Sequence, residues 1–159
     1  MKWMLALAFL LASPFFNMGA NAQSDPWDGL ENKGARYAGT KDARENAVIF
    51  VCPVTGAPQL ILRSHQFRVS VPDDHRYTLT FATDRGRSEV TAIAKDAELT
   101  FTASDINAQL TYQRLAEDIA ASKAFSINMS PFGWKAQFTA QGAAEALKPM
   151  LAGCREQKP

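Results

Sequence analysis

Alternation of apolar and polar positions dominates the middle of the chain. Tyr77, Leu79 and Phe81 recur at every second residue with Thr78 and Thr80 between them, which is the period of a strand with one buried face. Asp84-Arg85-Gly86-Arg87 then supplies a turn before Glu89 to Ala94, and the pair predicts a hairpin. After Lys95-Asp96, the residues Ala97, Leu99 and Phe101 alternate again. A second hairpin follows: Phe125, Ile127 and Met129 share a face, Ser130-Pro131-Phe132-Gly133 turns, and Trp134, Ala136 and Phe138 return. Upstream, Ala47 to Cys52 is apolar on both faces, as in a central strand, and Pro53, Gly56 and Pro58 end it. Gln59 to Leu62 and Phe67 to Val71 are two further short extended runs.

Two stretches change period. Tyr112, Leu115 and Ile119 fall at i, i+3 and i+7, with Ala116 and Ala120 beside them and Arg114, Glu117, Asp118 and Lys123 around the rest. That spacing predicts an amphipathic helix of about three turns. Ala143, Leu147, Met150, Leu151 and Cys154 share a second helical stripe, which Pro149 is expected to bend or break. Together these elements predict a mainly β fold with two late α-helices. The expected architecture is an antiparallel β-sandwich or partly open barrel of about eight strands, with helices covering one side.

The start of the chain has a different texture. Lys2 precedes the apolar stretch Met4 to Ala12, and Ala20-Asn21-Ala22 forms a small-x-small site before Gln23. This is the layout of a cleaved secretory signal peptide, with an apolar segment too short to span a bilayer. Residues 1–22 are therefore read as a signal peptide. Residues 23–45 are read as an irregular leader pinned by Trp27 and Tyr37, and residues 46–159 as a single disulfide-linked β-rich domain. The expected location is periplasmic or secreted, and no later segment reaches spanning length. Removing 22 of the 159 residues leaves 137 with 16 basic and 16 acidic side chains. That neutral balance lacks the footprint of a nucleic-acid binder.

Export places Cys52 and Cys154 where disulfides form and persist. The alternatives are two free thiols or a metal pair with ligands elsewhere. Cys52 is in phase with Val48 and Phe50 on its strand, and Cys154 with Leu147 and Met150 on its helix, so both sulfurs are expected to face one core.

Groups able to carry catalysis are sparse. The two histidines, His65 and His75, lie in connecting segments, and Asp73-Asp74-His75 reads as turn chemistry rather than a metal or catalytic cluster. Glu117 and Asp118 are adjacent on a helix and diverge by about 100°, so they do not converge on one substrate bond. G-x-S-x-G, H-E-x-x-H, P-loop and C-x-x-C patterns are all missing. The chain is accordingly read as no enzyme, with no catalytic, metal or cofactor-binding residues and no cofactor. Candidate partner-binding residues remain on two loops. Arg85 and Arg87 place two guanidinium groups on a hairpin tip suited to an anionic group, and Phe132 offers an aromatic side chain on a turn.

Phe138-Thr139-Ala140-Gln141-Gly142-Ala143-Ala144-Glu145-Ala146-Leu147, followed by Cys154, resembles the strand, Gly, Ala-rich helix and terminal cysteine of two groups of small exported bacterial proteins. These are the invasion-associated locus B family and a type VI secretion-associated accessory family. In the early region Trp27 and Cys52 are the loosely matching positions. The resemblance implies a bacterial, non-enzymatic envelope protein of β-sandwich type. The expected function is an exported binding or accessory protein acting on an unidentified envelope or host protein. The alternatives are an inhibitor of a cell-wall hydrolase such as a lysozyme, and an enzyme acting on envelope glycan or lipid.

Overall fold

The computed structural model describes residues 24–156; the expected signal peptide lies outside them. In chain order the strands are β1 (Asp28–Asn32), β2 (Ala35–Lys41), β3 (Ala47–Cys52) and β4 (Gln59–Arg63). A short helix α1 (Phe67–Ser70) precedes β5 (Arg76–Thr83), β6 (Gly86–Lys95) and β7 (Glu98–Thr102). Helix α2 (Ile106–Ala120), β8 (Ala124–Ser130), β9 (Trp134–Thr139) and α3 (Ala143–Glu156) complete the chain. All nine strands form one antiparallel sheet in the order β1-β2-β3-β4-β7-β6-β5-β8-β9. The fold is thus mainly β with helices covering one side, as expected, and the sheet is not closed into a barrel.

Three local expectations need correction. The stretch read as an irregular leader holds β1 and β2, an antiparallel hairpin that extends the sheet from β3. Its turn is Lys33-Gly34, with φ of 51° and 83°. That left-handed pair matches the twist of the flanking strands, and glycine adopts it without a Cβ penalty. Residues 67–70 form a single helical turn rather than a strand. In a strand Phe67 and Val69 would share a face, yet Phe67 is fully buried and Val69 is 90% exposed. Phe67 is a lone aromatic plug, its ring centroid 5.2 Å from that of Trp134. Finally, α3 runs unbroken through Pro149. The proline lies on the exposed side, where the carbonyl it leaves without an amide partner can be met by water, and the Arg36 guanidinium donates to the Pro149 carbonyl at 3.1 Å.

One face of the sheet is buried from β2 to β9. Val48, Phe50, Leu60, Leu62, Leu79, Phe81, Leu99 and Ile127 are among its fully buried residues, and α2 and α3 lie over it. Asp105 caps α2, its carboxylate accepting from Ala108 N–H at 2.9 Å. Tyr112, Leu115, Ala116 and Ile119 are the residues α2 buries, as the helical spacing predicted. Cys52, at the end of β3, is bonded to Cys154 on α3, with 5.4 Å between the Cα atoms across 102 positions of sequence.

Curling brings β2 near β9, and residues 24–27 strap the two together. Asp25 N–H donates to Lys41 O, Trp27 N–H to Gln141 O, and the Trp27 indole N–H to Thr139 O at 2.9 Å. Thr40 Oγ1 donates to Asp25 O and Thr139 N–H to Ser24 Oγ. The Trp27 ring sits between Phe50 of β3 and Phe125 of β8, 6.0 Å from each, so it joins strands from both halves of the sheet.

Candidate functional site

The structure keeps the two loop candidates apart. Asp84 and Arg85 form a two-residue turn between Thr83 and Gly86, and Thr83 Oγ1 accepts from Arg85 N–H at 3.0 Å. Arg85 is exposed on this tip, and Arg87 is exposed on the outer face opposite Ala82. Phe132 lies in the β8–β9 turn. Because Thr78 pairs with Ser130 and Thr83 with Phe125, that turn stands at the other end of β5, about 17 Å away at ~3.4 Å per residue. The arginines near this tip in sequence do not join it either: Arg76 pairs with Ile93, and Arg63 binds Glu98 at 2.5 Å, both toward the far ends of β5 and β6.

Phe132 is 40% exposed, whereas Trp134, two residues on, is 5% exposed against Phe67. Trp134→Ala is therefore expected to destabilise by about 3–5 kcal/mol, and Phe132→Ala by less than about 1 kcal/mol. Thermal melts of the two variants check this directly. A large loss from Phe132→Ala would make the tip part of the core.

Among the described residues the histidines and acids form no constellation. His65 Nε2 lies 3.9 Å from Glu45 on the surface, and His75 Nδ1 is 3.1 Å from Asp73 O. The Asp73 carboxylate accepts from Asp96 N–H at 3.0 Å, which holds the β6–β7 turn where Asp96 and Ala97 have positive φ. Asp42, buried, accepts from the N–H groups of Arg44 and Asn46 and from the Asn46 amide, all at 2.7–3.0 Å. These carboxylates shape turns. On α2, Glu117 is exposed and accepts from Gln113 at 2.7 Å, with Asp118 turned to another face. No group of three or more His, Cys, Asp or Glu able to hold a metal occurs among the described residues.

Among the described residues Tyr112 is the strongly perturbed ionisable group. Its hydroxyl donates to Val51 O at 3.1 Å, lies 3.3 Å from Met150 Sδ, and burial pushes its pKa far above the ordinary tyrosine value. The folded protein therefore holds this proton more tightly than the unfolded chain, which releases it near pH 10. Its contribution to stability is complete below about pH 10 and is lost as pH rises further. Urea unfolding from pH 8 to 11 is expected to show this fall, and Tyr112→Phe to flatten it. At neutral pH the same variant is expected to cost about 1–3 kcal/mol, because Val51 O loses its buried side-chain partner.

The outer face of the sheet divides in two. Over β5, β6, β8 and β9 it carries the polar residues Thr78, Thr80, Glu89, Ser126, Asn128, Lys135 and Gln137. Over β1 to β4 it is apolar. Register places Leu30, Tyr37 and Val51 in one row and Gly39, Ile49 and Ile61 in the next, with Thr100 and Ile93 beyond. Leu30, Tyr37, Gly39, Ile49, Val51 and Ile61 line a trough of about 360 Å³ with Asp28 and Arg63 on its rim, and Leu30 is 57% exposed there. Gly39 sets its floor: a Cβ at this position would stand 2.7 Å from Val48 O.

A larger cleft of about 560 Å³ lies on the other side of β1, between that strand and α3. Strand and helix touch where Gly29 meets Ala146, at a point where an added Cβ would stand 3.4 Å from the helix backbone. Asp28, Glu31, Glu145, Arg36 and Pro149 are among the residues lining it. Sequence reasoning missed both sites, because it assigned no strand before Ala47. The overlooked signal was Asn32-Lys33-Gly34, a hairpin turn sequence.

No family model, curated protein or solved structure matches this chain.

Proposed function

We propose that this is an exported, non-enzymatic binding protein of the bacterial envelope that acts through contacts with another protein and uses no cofactor. The observation that carries this reading is the apolar outer face over β1 to β4. Tyr37, Ile49, Val51, Ile61 and the exposed Leu30 gather on a surface where a purely structural sheet would carry polar side chains, as the other half of this sheet does. An aromatic and aliphatic floor between Asp28 and Arg63 has the anatomy of a protein interface, an apolar centre with a charged rim. Export is supported by the composition of residues 1–22 and by the Cys52–Cys154 bridge, a bond that persists in oxidising compartments. The likeness of Phe138 to Leu147 and Cys154 to exported envelope families points the same way.

The test is affinity capture from envelope extract, run in parallel with the unaltered protein, Ile61→Lys, and the double variant Arg85→Glu/Arg87→Glu. Ile61→Lys sets a charge on the trough floor, and its long stem can lie along neighbouring apolar surface while the ammonium reaches water, so folding is retained. A protein held by the unaltered chain and reduced at least tenfold by Ile61→Lys is the expected result. Loss in the arginine variant alone would move the contact to the hairpin tip. Retention of nothing above background would overturn the binding reading.

A further inference from the structure

The two outermost strands of the sheet are finished differently. The free edge of β9 is covered at its end by the strap, where Thr139 N–H donates to Ser24 Oγ, and Lys135 lies farther along it. A strap and an edge lysine are ordinary guards against added strands. Among the described residues β1 has neither, and every one of its five residues is exposed. Trp27 N–H points away from β2, to Gln141 O. Two residues on, and in the same phase, Gly29 N–H meets only its neighbour's carboxylate, Asp28 Oδ1, at 2.8 Å. Antiparallel alternation gives Glu31 that phase too, so the backbone groups of Gly29 and Glu31 face the open side.

Alongside this edge runs the 560 Å³ cleft whose far wall is α3. A strand edge flanked by a helix is the geometry in which an extended peptide adds to a sheet, main-chain bonds supplying affinity and the cleft reading alternate side chains. Charge specifies what fits. Among the described residues, Asp28, Glu31 and Glu145 line the cleft against a single base, Arg36, and Arg36 is already engaged with Glu31 at 3.3 Å and with Pro149 O. Glu145 makes no ion pair among the described residues.

We propose that the free edge of β1 receives an extended, lysine- or arginine-bearing segment of a partner protein as a tenth strand, seated between β1 and α3. This rests on the protein-binding reading and gives the class of ligand. A second copy of the chain is the poorer occupant. Its own β1, Asp28-Gly29-Leu30-Glu31-Asn32, would bring two more acids to an acidic cleft and no base.

The probe is a displayed library of random peptides of about ten residues, long enough to overrun a strand of ordinary length. It is selected on the disulfide-bonded protein, and the enriched peptides are synthesised and titrated while backbone amides are followed by NMR. Enriched sequences are expected to alternate apolar residues with Lys or Arg and to shift the amides of Gly29, Glu31 and Ala146. Replacing their basic residues by Glu, or N-methylating alternate residues, is expected to weaken binding at least tenfold. Gly29→Pro removes an edge-facing N–H without touching the β1–β2 bonds and is expected to do the same. If that variant melts early, Glu31→Pro reads the same phase.

Enrichment of nothing, or peptides indifferent to backbone methylation, would overturn the inference. So would shifts confined to Tyr37, Ile49 and Ile61, but that outcome leaves the protein-binding reading standing on the outer face. Concentration-dependent dimerisation abolished by Gly29→Pro would give the edge to a second copy instead.

Discussion

Trp27→Ala is expected to lower the free energy of unfolding by about 3–5 kcal/mol, although Trp27 precedes the first strand of the sheet. The indole is 6% exposed and lies between Phe50 and Phe125, rings carried by β3 and β8, which are far apart in strand order. Its removal opens a void that neither half of the sheet can close without moving the other. It also frees Thr139 O from the indole N–H. Trp27→Phe separates the two effects: most of the volume stays, the hydrogen bond goes, and a loss nearer 1–2 kcal/mol is expected. Urea unfolding measures both. Amide exchange should then locate the damage, with Lys41, Thr139 and Gln141 at the strap exposed before the β5–β6 hairpin. A near-neutral Trp27→Ala would mean that the strap adds little to the sheet.

Breaking the Cys52–Cys154 bridge is expected to cost a similar amount, about 2–5 kcal/mol, since a loop of about 100 residues corresponds to about 4.7 kcal/mol in the chain-entropy account. For a chain of this size the melting temperature should fall by about 10 °C or more. Cys154→Ser and Cys52→Ser should act alike, and the double variant should add almost nothing beyond either. The native position of α3 makes this a test of more than chain entropy. The helix carries Met150 against the Tyr112 hydroxyl and Ala146 against Gly29, so its loosening should disturb the near-ultraviolet signal of Tyr112 before the sheet melts. Thiol titration of the unreduced, unfolded protein should find no free thiol; two would refute the bridge.

Much of the sheet is legible in the sequence because each strand from β3 onward buries one face fully. Tyr77, Leu79 and Phe81, or Phe125, Ile127 and Met129, announce that face by simple alternation. The pairing of cysteines was legible for the same reason, since each lies in phase with its own apolar row. β1 and β2 gave no such signal. β1 buries none of its residues, and β2 meets its neighbours through Ala38 and Gly39, where large side chains would not fit under α3 or beside Val48 O. Small residues chosen for close approach look like loop composition. Phe67 to Val71 erred in the opposite direction, because three alternating apolar residues imitate a strand although only the first and last are buried. The candidate sites were obscured by that same gap. Arg85, Arg87 and Phe132 stand out as residue types on turns, whereas the trough and the cleft come into being only when β1 and β2 are added to the sheet.

The order of strands along the sheet also imposes an order in time. β1 to β4 pair as chain neighbours, as do β5 to β7, and β8 with β9, so each of these three pieces assembles through short loops. The joins of β4 to β7 and of β5 to β8 enclose whole intervening elements and must overcome a larger closure entropy before any contact rewards them. Those two seams are expected to set the folding rate. Side chains that cross them, Leu60 opposite Phe101 and Phe81 opposite Ile127, are expected to belong to the folding nucleus, so trimming them should slow refolding measured by stopped flow. The β1–β2 hairpin lies at the sheet margin, outside both seams, so changes there should act chiefly on the unfolding rate.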